Sequence, residues 1–259
     1  MKALFIALIC LISLPTPAQN KAIGSKEKLV FTASYKMSGL MTDLAQVTME
    51  TSQVKTASST LLRLKCKART FKKWDSYFKI NDLYESYVSP KTLRPYLHNR
   101  EINEGNYYKF MQYKYDYKAK VIQSLQRKRG RDGSYYDVRN RLNFGSSTID
   151  LVSTIYKIRN LDIKKAAIGS SDSFSVIFDN QKSTVRVTLL AKETIKTKIG
   201  TKACYKLAIS LNNSDILKGS NDNLIWLTAD ENKIPVYAKF KVAIGSGELK
   251  IESASGLKN

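Results

Sequence analysis

Along most of the chain apolar and polar positions alternate with a period of two, the pattern of strands with one face buried and one face in water. In Leu62-Arg63-Leu64-Lys65-Cys66-Lys67-Ala68-Arg69 every even position is apolar or small and every odd one is basic. Tyr113, Tyr115, Tyr117, Ala119 and Val121 share one phase against Lys114, Asp116, Lys118 and Lys120, which predicts a strand running through 113–121. Val185, Val187 and Leu189 alternate with Arg186 and Thr188. Val236, Ala238, Phe240, Val242 and Ile244 alternate with Tyr237, Lys239 and Lys241.

Turn chemistry separates these runs. Asp179-Asn180-Gln181-Lys182 predicts a hairpin between strands at 173–178 and 183–190, and Asp230-Glu231-Asn232-Lys233 divides 224–228 from a strand beginning near Ile234. Gly245-Ser246-Gly247 is expected to reverse the chain into 249–251. Short turns between neighbouring strands imply antiparallel pairing, since parallel pairs need long crossovers. One segment changes period: within 147–159, Ile149, Val152, Ile155, Tyr156 and Arg159 recur at helical spacing. Ser146 or Ser147 is the expected cap, with Asp150 in the first turn and the helix packed on the concave side of the sheet or bridging its halves. The expected fold is mainly β, a single curved antiparallel sheet forming a barrel or half-barrel with one short helix near residues 147–159.

The first residues stand apart. Met1-Lys2 precedes a 12-residue stretch, 3–14, apolar but for Ser13, and then Pro15-Thr16-Pro17-Ala18. That is the layout of a secretory signal peptide over 1–18, cleaved after Ala18, leaving a single β-rich domain over 19–259. Cys10 would leave with the leader. The apolar run is too short to span a bilayer and no later stretch is longer. The product is therefore expected to be exported, periplasmic or cell-envelope associated, with no transmembrane segment after cleavage. Cys66 and Cys204 remain, and both read as unpaired buried thiols rather than a disulfide.

Charge adds the next constraint. Lys and Arg number 43 against 22 Asp and Glu, a formal net charge of +21. The densest basic run, Gln126-Arg127-Lys128-Arg129-Gly130-Arg131-Asp132-Gly133, is followed by Tyr135, Tyr136, Arg139 and Arg141. Its glycines suggest a hairpin tip. Arg127, Lys128, Arg129, Arg131, Tyr135 and Tyr136 form a candidate anionic patch, because guanidinium groups suit phosphate and carboxylate and tyrosines can stack on sugars. For an exported protein the accessible polyanions are lipid headgroups, lipopolysaccharide and acidic glycans, so nucleic acid is not the expected partner.

Catalytic sets are sparse. The single histidine, His98, rules out multi-histidine metal sites and is the only imidazole for a Ser–His–Asp triad. It reads as a solvent-exposed strand residue, and no G-x-S-x-G elbow accompanies it. Asp82, Glu85, Glu101 and Glu104 would serve glycoside cleavage only if two of them faced each other in a cleft, with one desolvated enough to keep its proton. Surface ion pairs are the plainer reading. No glycine-rich phosphate loop is present, and no enzyme, cofactor or metal is expected.

Several short motifs resemble the exported bacterial family called domain of unknown function 3108. They are Asp82-Leu83-Tyr84-Glu85-Ser86-Tyr87, Leu93-Arg94-Pro95, Arg100, Asn103-Glu104-Gly105, Asp150-Leu151-Val152-Ser153 with Tyr156 and Arg159, Gly200 with Cys204, and Ile225-Trp226-Leu227-Thr228-Ala229-Asp230 followed by Lys233-Ile234-Pro235. The resemblance implies a β-rich exported domain and carries no activity. A looser fold-level likeness is to periplasmic lipoprotein carriers. Read physically, Trp226 should anchor the core. Thr228, Asp230 and Asn232 should form a hairpin connection, and Pro235 should start the returning strand. Asp150 and Arg159 should pair with each other or cap backbone groups. The expected function is a non-enzymatic cell-envelope protein binding or carrying an apolar, amphiphilic or anionic ligand. The alternatives are an adaptor for envelope assembly and a glycan hydrolase using Asp82, Glu85 or Glu104.

Overall fold

The computed structural model describes residues 19–37, 39–145, 147–212, 223–242 and 245–259. The leader with Cys10, Ser146 and Ile244 lie outside them. Fourteen strands form one antiparallel sheet. The first eight are β1 (Lys28–Met37), β2 (Leu40–Lys55), β3 (Thr60–Thr70), β4 (Asn81–Val88), β5 (Pro95–Glu104), β6 (Tyr107–Asp116), β7 (Val121–Arg129) and β8 (Tyr135–Asn143). After the helix α1 (Leu151–Ile158) come β9 (Ser171–Phe178), β10 (Gln181–Thr197), β11 (Gly200–Leu211), β12 (Leu224–Thr228), β13 (Pro235–Val242) and β14 (Gly245–Ser255).

The order is a meander. β1 to β8 pair in sequence, β9 to β14 pair in sequence, and β1 joins the two runs by pairing with β14. The sheet stays open only between β8 and β9, where the connection carrying α1 turns inward. The expected curved antiparallel sheet with one helix is thus the observed fold.

The phase read from 62–69 holds in β3: Leu62 and Leu64 are buried and the basic side chains point outward. The helix is shorter than expected and starts later. Asp150 is its cap, accepting the Ser153 N–H, so neither Ser147 nor a first-turn position for Asp150 is correct. Val152 and Tyr156 on α1 pack into a core with Leu29, Phe31, Leu62, Leu64, Trp226 and Val236. Burying that stripe gives the helix most of its stability, since eight residues are too few to hold alone.

Two other expectations are corrected. The strand through 113–121 is broken at Tyr117–Lys120, where β6 turns into β7. Asp116 accepts the Ala119 N–H and Lys120 adopts a left-handed φ of 55°. The alternation continues across this turn by coincidence of phase. Gly245 to Gly247 already belong to β14 and pair with Val242 to Phe240 of β13, so they do not themselves make the turn. The hairpin at Asp179-Asn180 is tighter than expected, a two-residue turn with φ of 47° and 66°, the mirror-image turn that suits the twist of the flanking strands.

That hairpin closes the fold without closing the ladder. Its tip reaches the concave face of β5, β6 and β7, where Asp179 meets Arg100 at 2.8 Å and Lys109 at 2.6 Å. Asn180 accepts from Ser124 and its N–H donates to the Tyr113 hydroxyl. Beside the tip, Ile149 pairs with Val176 in the parallel sense and covers part of the β9 edge.

Candidate functional site

Helix α1 and buried side chains pack on the concave face. Even-numbered residues of β4 and β5 point into it, and many are polar: Asp82, Ser86, His98, Arg100 and Glu104. Asp150 organises the first cluster. Fully buried, it accepts from Ser86 Oγ at 2.7 Å, from the Ser153 N–H at 2.8 Å and from Ser153 Oγ at 2.8 Å. His98 Nδ1 lies 2.9 Å from Ser86 Oγ and 3.4 Å from Asp150 Oδ1.

His98 is therefore not a solvent-exposed strand residue, as its basic neighbours suggested. It is 3% exposed, because its strand phase turns it to the helix cap. Burial holds its pKa below the ordinary histidine value, opposed by Asp150 and reinforced by Arg100. The serine hydroxyl gives its proton to the carboxylate, not to imidazole, so the cluster acts as an anchor tying α1 to β4 and β5. In a nucleophilic triad the imidazole would stand between serine and carboxylate.

A second anchor ends the helix. Arg159 forms a two-pronged ion pair with Glu27 at 2.6 and 2.7 Å, both groups fully buried. Arg159 also donates to the Asn232 carbonyl. The expected partner, Asp150, sits at the opposite end of α1. Asn232 is presented by the β12–β13 connection, where Asp230 accepts from Thr228 Oγ1 and from the N–H groups of Asn232 and Lys233. Pro235 opens β13 and Trp226 is a buried core residue, both as expected. Glu27 was missed, since nothing local marks it as the counter-ion of a residue far along the chain.

The carboxylates divide by strand phase. Glu85 points outward and meets Arg63 at 3.5 Å, a surface pair of the expected kind. Glu101 shares that outer face with Asn103. Asp82 does not make a surface ion pair. It is 5% exposed, and burial with the adjoining Glu104 carboxyl raises its pKa to about 6, against the Asn103 N–H that holds it down. Glycosidases hold their carboxyls at about 5–9.5 Å to admit the sugar. Asp82 and Glu104 instead adjoin, the second carboxyl helping to keep the proton on the first. Cys66 and Cys204 are both free, and burial pushes their thiols up to about 12 and about 11.

The basic run forms the expected hairpin tip at 130–134, and the strands split its residues between two faces. Lys128, Arg129, Arg131 and Tyr136 line a groove of about 470 Å³ at the free end of β6, β7 and β8, joined by Tyr107 and Lys109. Arg127 instead pairs with Asp137 at 2.8 and 3.1 Å on the outer surface, and Tyr135 packs edge-on against Tyr108. The groove lining contains no carboxylate, and among the described residues Lys128, Arg129 and Arg131 have no acidic partner.

A model of proteins of unknown function, DUF3108, matches residues 30–252. The chain belongs to the DUF3108 family. A β-barrel-like protein of domain of unknown function 1849 from Brucella abortus has a similar fold: TM-score 0.55 at 6% identity, covering 89% of this DUF3108 chain and 97% of the other. At that identity the likeness speaks to fold alone. A Bacteroides fragilis protein with a YmcC-like fold aligns over 92% of this chain and 99% of its own at 8% identity, but its TM-score of 0.35 supports no argument. None of the curated proteins compared matches the sequence. Among the described residues of this DUF3108 protein, no helix is long and apolar enough to cross a membrane, and no cluster of His, Cys, Asp or Glu is arranged to hold a metal.

Proposed function

We propose that this DUF3108 protein is a non-enzymatic exported binding module of the cell envelope, taking the phosphate or carboxylate group of an envelope lipid or glycan in the groove at the end of β6–β8. The carrying observation is that Lys128, Arg129 and Arg131 line one concavity without a carboxylate among its residues. Tyr107 and Tyr136 border the same space and offer flat faces to a sugar ring or glycerol backbone. Helix α1 occupies part of the concave face, which favours a ligand held at the rim over an acyl chain carried inside. An excess of 43 cations over 22 anions draws such ligands in from solution.

The test compares co-sedimentation with phosphatidylglycerol vesicles, with phosphatidylcholine vesicles, and retention of a soluble sulfated oligosaccharide. Changing Lys128, Arg129 and Arg131 together to serine should weaken binding to the anionic probes at least ~10-fold at low salt, at about 1 kcal/mol per cation near a surface. Arg127→Ser should change it little, since that side chain is engaged by Asp137. Loss restricted to vesicles identifies a headgroup and loss restricted to the oligosaccharide a glycan. Unchanged binding of the triple variant to both would remove this function from the groove.

A further inference from the structure

The open side of the sheet ends in a strand, β8, that none of the described residues covers. The β9–β10 tip docks on β5, β6 and β7, so β8 overhangs the closure as a lip. Seven of its nine residues are exposed, and among the described residues only β7 pairs with it. The ladder phase shows which backbone groups are free. Gly130 N–H donates to Ser134 O and Phe144 N–H to Lys120 O, which makes the even-numbered residues of β8 the hydrogen-bonded partners of β7. The N–H and C=O groups of Tyr135, Asp137, Arg139, Arg141 and Asn143 therefore point away from the sheet.

Exposed edges are ordinarily blunted by proline, by a bulge, by shortness or by charged side chains, and of these β8 has only its charges. β8 runs nine residues with no proline, and its register with β7 is unbroken. Its side chains form two rows. On the outer face stand Asp137, held by Arg127 at 2.8 Å, then Arg139, 3.8 Å from that carboxylate and 75% exposed in its side chain, and Arg141, which has no acidic partner among the described residues. On the inner face, Val138 and Leu142 are half-buried. The outer row carries two arginines against one aspartate already engaged by Arg127, a net positive edge that an acidic strand complements.

We propose that β8 accepts an extended segment of a partner protein as a fifteenth strand, and that this segment alternates acidic and apolar residues. Backbone groups of the odd-numbered residues supply the ladder, Arg139 and Arg141 select carboxylates on one face, and Val138 and Leu142 select apolar side chains on the other. This edge adjoins the groove at Tyr136 but uses other backbone and side-chain groups of β8, and stands whether or not the groove binds anions.

The probe is a fluorescein-labelled peptide alternating Glu and Val, with a Lys–Val peptide of the same length as control, titrated onto the full protein by anisotropy. The Glu–Val peptide should bind, the Lys–Val peptide should not, and salt should weaken the complex. Arg139→Ala removes charge only and should weaken binding several-fold. Arg139→Pro also removes an outward N–H while leaving the β7 ladder intact, and should abolish binding. Lys128→Ser with Arg131→Ser should leave it unchanged. Amide exchange of the unaltered protein, read by NMR, should slow at Tyr135, Asp137, Arg139, Arg141 and Asn143 when the peptide is added. Equal affinities for the alanine and proline variants, loss on changing the groove alone, no slowing at those amides, or sedimentation showing an edge-to-edge dimer would each overturn the proposal.

Discussion

Glu27 and Arg159 illustrate how a single side chain is worth more through its surroundings than through its own chemistry. Neither is exposed at all, so removing one strands the other as a desolvated charge. Glu27→Ala should cost about 3–5 kcal/mol in denaturant unfolding, whereas Glu27→Leu with Arg159→Met should recover most of that loss. Asp82 works in the opposite direction. Its pKa is about 6 in the fold against 3.8 for the free side chain. Below about pH 4 both states hold the proton, but between about 4 and 6 the unfolded chain ionises first, so this group takes stability away as pH rises. Asp82→Asn keeps an acceptor for the Asn103 N–H and gives Glu104 a donor. It should stabilise the protein by roughly 1–2 kcal/mol at pH 7.5 and by nothing measurable at pH 3.5. Equal stability of the two proteins at pH 7.5 would assign the retained proton elsewhere. In sequence Asp82 stood out only as one of several candidate carboxylates and Glu27 not at all, because tertiary packing is what brings Glu104 and Arg159 beside them.

Elements were legible where their signal is local. The period-two runs of β3, β10 and β13 and the turn residues Asp179-Asn180 and Asp230–Lys233 each follow from a few neighbouring residues, and the structure has them. Where a pattern ran on past its element, the reading failed. Tyr117, Ala119 and Val121 keep the phase of β6 across a turn, and only Asp116, as a side-chain acceptor for Ala119, signals the stop. His98 failed for another reason: Arg100, the basic neighbour that suggested an exposed site, is itself buried in the same strand phase, which turns His98 to Asp150. The docking of the β9–β10 hairpin was equally hidden, because Arg100 and Lys109 lie far in sequence from Asp179. It is the element whose perturbation should be felt most locally. Asp179→Asn keeps a residue that accepts the left-handed turn and removes only the charge between Arg100 and Lys109. We expect a loss of about 1–2 kcal/mol, with amide exchange accelerating in β9 while β1 to β3 remain protected. Uniform acceleration across the sheet would mean that the tip is integral to the whole fold rather than a latch upon it.

At the scale of the molecule, the topology is a ring of hairpins with one gap. β1 and β14 join the two halves, and Lys258 and Asn259 lie against Asn20 and Lys21, with Lys258 Nζ donating to the Asn20 carbonyl at 3.1 Å. The gap between β8 and β9 is where the connection dives inward to place α1 in the concavity. Continuity of backbone is therefore needed less at the lip than at the latch. A circular permutant that links 259 to 19 through a short glycine-serine bridge and begins at Arg131 opens the chain at the exposed β7–β8 tip. It should keep its circular dichroism spectrum and lose only a few degrees of melting temperature, because the contacts it interrupts are solvent-facing. The same linkage opened between Asp179 and Asn180 cuts the turn that carries Arg100, Lys109, Ser124 and Tyr113 across the gap, and should melt well below the first. If the two permutants melted together, the ring would be held by its ladder alone, and the hairpin tip would be a passenger on a sheet that already knows its curvature.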